Sequence, residues 1–63
     1  MKMKAILYEK TKGGYYGGLN KKYCDMFNFT ADEQDAKILN IADAENIKDD
    51  LNKRGYNFVI VPV

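Results

Sequence analysis

The chain is predicted to fold as one small α+β domain, residues 1–63, in which an N-terminal β-hairpin and a β-α-β unit form a two-layer sandwich of three to four strands with one main helix at 44–54. Three observations predict it. Ala44, Ile47 and Leu51 recur at i, i+3 and i+7, one face of a helix. The run Tyr56-Asn57-Phe58-Val59-Ile60-Val61 is β-branched and aromatic. Gly13-Gly14 stands between two strand-like stretches.

Residues 2–10 read as the first strand, with Thr11-Lys12-Gly13-Gly14 as its turn. If Gly13 and Gly14 are the loop, both in the positive-φ region, Tyr8 faces Leu19, Ile6 faces Lys21 and Lys12 faces Tyr15. Gly17-Gly18 then interrupts the second strand and marks a bulge or a close backbone approach. Leu19, Tyr23, Met26 and Phe27 carry a helical spacing, but residues 19–24 are read as strand with an irregular continuation through Phe29. Thr30-Ala31-Asp32-Glu33 matches a capping box and predicts one helical turn at 31–35. Residues 37–41 form a short strand. Asp43 is the expected N-cap of the helix, Glu45 sits in its first turn, and Gly55 ends it in the left-handed conformation. Strand 56–61 follows and Pro62 stops it, so strands 37–41 and 56–61 run parallel, with room for one other strand between them.

Composition excludes more functions than it indicates. The chain has no histidine and one cysteine, Cys24, so it lacks the ordinary acid–base residue, a Ser-His-Asp or Cys-His constellation, and a zinc-binding cluster. No enzyme, cofactor or metal is expected. A lone cysteine points to a reducing cytoplasm. No apolar run approaches the about 18 residues of a membrane span, and no membrane partner is expected. Phe, Tyr, Met, Ile, Asn and Lys supply 31 of the 63 residues, the skew of an AT-rich coding sequence; an AT-rich bacterium, or a phage or other mobile element living in one, is the expected source.

Charge is segregated along the chain. Residues 1–22 carry +5 and residues 23–52 carry −6, within a total of +1. The basic half interleaves lysine, tyrosine and glycine, and its candidate partner-binding residues are Lys12, Tyr15, Tyr16, Lys21, Lys22 and Tyr23. Glu45, Asp49 and Asp50 on the helix form a second candidate surface. The strands also carry apolar residues on both faces, more than one helix covers. Segment 19–29 folding over the second face, a homodimer, and a heterologous partner are the three ways to bury the surplus.

The function expected is therefore a small non-catalytic module that binds and modulates another protein. The alternative is a single-stranded nucleic-acid-binding module, in which lysines meet phosphates and bases stack on tyrosines. Adjacent tyrosines in a regular strand point to opposite faces, which disfavours a shared stacking platform of Tyr15 and Tyr16. The third reading is a structural domain acting as a homodimer.

Overall fold

The computed structural model describes residues 4–19 and 27–63. Five strands form one sheet: β1 (Lys4–Glu9), β2 (Gly14–Leu19), β3 (Phe27–Thr30), β4 (Leu39–Asn40) and β5 (Phe58–Pro62). A 3-10 turn, Glu33–Asp35, precedes β4, and helix α1, Ile41–Lys53, joins β4 to β5. The α+β class is as expected, with one strand more than the three to four predicted. The additional strand is β3, which lies where an irregular continuation was expected.

Strand β1 is the spine of the sheet. It pairs antiparallel with β5 along its length, from Ala5 opposite Pro62 to Glu9 opposite Phe58. Its other edge is shared. Tyr8 and Glu9 pair with Tyr15 and Gly14 of β2, and Lys4 and Ala5 pair with Asn40 and Leu39 of β4. Since β4 and β5 both run antiparallel to β1, they run parallel to each other with β1 between them. This is a split β-α-β crossover, as the short linkers around α1 predict.

The hairpin register differs from expectation. Tyr8 faces Tyr15 rather than Leu19, because Glu9 already closes β1 and the loop holds four residues, Lys10 to Gly13. Gly13 alone takes positive φ in that loop, and Gly14 begins β2. The expected pairing of Ile6 with Lys21 falls outside the described residues, as does most of 19–24. The interruption expected at Gly17-Gly18 appears as a shift of the β2–β3 register between Tyr16 and Leu19.

Helix α1 begins three residues before the predicted start, so Asp43 lies in its first turn and is not the cap. Asn40 is the N-cap, without a side-chain hydrogen bond. Tertiary packing sets this start, since Ile41 extends the inward stripe of Ala44, Ile47 and Leu51 by one turn. The C-terminal end follows prediction. Gly55 has φ +104°, its N–H donates to the Asn52 carbonyl at 3.1 Å, and the Tyr56 N–H donates to Leu51 at 3.3 Å, a Schellman motif. In the 3-10 turn the cap is Asp32, whose carboxylate accepts from the Gln34 N–H at 3.0 Å, and not Thr30.

Ala5, Leu7, Tyr16 and Phe58 on one sheet face meet Ala44 and Leu51 of the helix to form the core. Phe27 extends it sideways, 5.2 Å from Tyr56, 5.7 Å from Phe58 and 5.7 Å from Tyr16 between ring centroids. The aromatic residues of 27–29 thus join the helix-covered face and do not fold over the second one. The rest of segment 19–29, residues 20–26 with Tyr23 and Met26, lies outside the described residues.

β5 is an edge strand, and its free side is blunted. Lys10 donates to the Asn57 carbonyl and Val63 to the Lys4 carbonyl, so odd-numbered residues of β5 bond to β1 and even-numbered ones point outward. The Asn52 side chain meets both outward groups of Phe58, accepting from its N–H at 2.8 Å and donating to its carbonyl at 3.2 Å. Pro62, paired opposite Ala5 in the ladder rather than excluded from it, has no outward N–H. Asn52→Ala removes both bonds and is expected to destabilise the fold by about 2 kcal/mol, measured by urea denaturation. An unchanged midpoint would show that water replaces the amide without loss.

Candidate interaction surface

The hairpin tip is organised by a buried charge. The side chain of Glu9 follows Ala5 and Leu7 on the core face of β1 and is 1% exposed. Its Oε1 accepts from the backbone N–H of Thr11 at 2.5 Å and of Lys12 at 3.0 Å. Its Oε2 accepts from the N–H of Asn57, on the loop leading into β5. The Asn57 side chain in turn donates to the Thr11 hydroxyl at 2.9 Å. One carboxylate therefore pins the β1–β2 loop to the α1–β5 loop. The Asn57 N–H, followed by those of Lys12 and Thr11, holds the Glu9 carboxyl below its ordinary value, although burial pushes the other way.

A pocket of about 200 Å³ opens beside this knot, lined by Lys12, Gly13, Gly14, Phe29, Thr30 and Ala31. Gly14 makes room for it: a Cβ there would stand 2.1 Å from the Phe29 ring, so that ring lies directly on the strand backbone. Phe29 is 39% exposed. The Lys12 ammonium sits 5.9 Å from the centroid of Tyr56. The Thr30 hydroxyl accepts from the Asp32 N–H at 3.2 Å, which leaves its own proton free to be donated.

The predicted site residues are divided by this geometry. Lys12 lies exposed on the tip. Tyr16 is 3% exposed in the core, where burial pushes its hydroxyl up, and it presents nothing to a partner. Tyr15 is half-buried on the opposite face against Tyr8, ring centroids 5.1 Å apart. Tyr15 and Tyr16 thus form no common platform. Lys21, Lys22 and Tyr23 lie outside the described residues. On α1, Glu45, Asp49 and Asp50 are exposed, but Asp49 is 3.6 Å from Lys48 and Asp50 is 3.2 Å from Arg54, which softens the acidic surface.

Sequence reasoning missed Phe29, Thr30 and Ala31 as site residues. The alternation of Phe27 and Phe29 was the available signal. On the second sheet face the register aligns Ile6 with Val61 and Tyr8 with Val59 and Tyr15; Ile6 is buried there and the others are half-buried. Among the described residues no three His, Cys, Asp or Glu side chains group to hold a metal, and no helix is long and apolar enough to cross a membrane. Comparison of the chain with protein-family models, with curated proteins and with solved structures finds no match.

Proposed function

We propose that the chain is a small non-catalytic interaction module that binds another protein through the β1–β2 hairpin tip and modulates it, in the cytoplasm. The observation that carries this reading is the contrast at the tip. A surface loop is held by a buried carboxylate with three backbone donors, yet it presents Lys12 and borders the partly exposed Phe29 of β3 and an open pocket. A loop locked in this way loses little conformational entropy on binding, which favours contact with a partner. Apolar surface beside a lysine that has no carboxylate partner among the described residues suits a polypeptide better than a phosphate backbone, and the separation of Tyr15 from Tyr16 removes the tandem stack that single-stranded nucleic acid would use.

Titration of fluorescent single-stranded DNA and RNA oligomers at 50 and 200 mM salt tests this directly. No saturable binding is expected at either concentration. Binding that weakens steeply between the two would overturn the reading in favour of a nucleic-acid-binding module.

A further inference from the structure

Resting on that reading, we infer that the hairpin-tip pocket receives one apolar or aromatic side chain of an extended peptide, with an acidic residue beside it that pairs with Lys12. The lining of the pocket is mainly apolar, with Phe29, Gly14 and Ala31 beside Lys12 and Thr30. Its volume of about 200 Å³ matches one large side chain and not a cofactor, whose sites run to about 300–1,000 Å³.

The charge around the pocket is divided between a basic and an acidic flank. Lys10 and Lys12 are exposed on the hairpin flank, and among the described residues neither is ion-paired. The nearest carboxylate in sequence, Glu9, is buried with its oxygens occupied by backbone N–H groups. On the other flank Ala31 leads into Asp32 and Glu33, both exposed, with Asp32 engaged by the Gln34 N–H. A peptide carboxylate is therefore attracted to the Lys12 flank and repelled from the Asp32 flank, where a neutral or basic residue fits. The recognised chemistry is acidic, apolar, basic, read across the pocket. The Thr30 hydroxyl supplies a donor for a peptide carbonyl.

The probes are acetyl-Glu-Glu-Phe-Lys-amide, the same residues in reverse order, and versions of each with Ala for Phe or Gln for both Glu. They are titrated into the 15N-labelled full chain. One of the two orders is expected to shift the amides of Gly13, Gly14, Phe29, Thr30 and Ala31 in a saturable way. The Ala and Gln versions are expected to bind about tenfold more weakly or worse, and Lys12→Glu to weaken the parent peptide by a similar factor at an unchanged melting temperature. Equal binding of the Ala or Gln versions, or shifts confined to other residues, overturns the pocket assignment. So does absence of binding to all of these peptides while a nuclease-resistant protein partner binds the wild type and is lost by Lys12→Glu; in that case the protein-binding tip stands without this pocket. Saturable binding of single-stranded oligomers in place of the peptides overturns both.

Discussion

Glu9→Gln is expected to lower stability by about 3 kcal/mol at neutral pH, a drop of about 12–24 °C in melting temperature for a domain of this size. Glutamine retains one acceptor oxygen, but its amide NH₂ would face a backbone N–H in a site that is 1% exposed. The charge that strengthens three hydrogen bonds is lost as well. The effect has a signature in pH. The folded Glu9 carboxyl titrates below the 4.5 ordinary for glutamate, so its contribution is complete above that value and is lost as pH falls through the folded pKa. The gap between wild type and Glu9→Gln in urea denaturation is therefore expected to be constant near neutrality and to close in acid. A gap that widened in acid would show that Glu9 is protonated in the fold.

Phe58→Ala is expected to cost about 4 kcal/mol, against a total of about 3–9 kcal/mol for a chain of this length. Phe58 is 2% exposed and is ringed by Phe27 at 5.7 Å, Tyr56 at 5.9 Å and Phe29 at 6.4 Å. Truncation removes these contacts together and leaves a cavity between β5, β1 and the helix. The expected result is loss of the cooperative thermal transition in circular dichroism, whereas Phe58→Leu keeps it with a loss of about 1.5 kcal/mol. A cooperative melt of Phe58→Ala near the wild-type temperature would place the centre of the core elsewhere.

These two residues show where the fold was legible in the sequence. Phe58 was readable because its alternation with Tyr56 and Ile60 and its neighbours' β-branching mark one strand face. The inward stripe of α1 and its Gly55 stop were readable because both are set by spacing within a few residues. Glu9 was not. A lone acid at a strand end reads as solvated, and the donors that make its burial tolerable come from residues 2, 3 and 48 positions away. The hairpin register failed for the same reason, since Glu9 closes β1 before the Gly-Gly pair. Asn52 carried no strand signal, because it acts on Phe58 from a different element.

The candidate surface was legible only in part. Alternation correctly placed Tyr15 and Tyr16 on opposite faces, and charge segregation pointed to the hairpin. The pocket depends on Phe29 lying over Gly14, a pairing of β2 with β3 that no local pattern contains. Of the three ways to bury the surplus apolar surface, Phe27 and Phe29 do not take the first, since they join the helix-covered face and not the second one.

The most direct test of a protein-binding tip is capture by the tagged chain from a lysate of its own source cells, run in parallel with Lys12→Glu and with nuclease. The expected result is one protein retained by the wild type after nuclease and lost by Lys12→Glu, with both variants melting at the same temperature. A partner that disappears on nuclease treatment, or that Lys12→Glu retains in full, would contradict it.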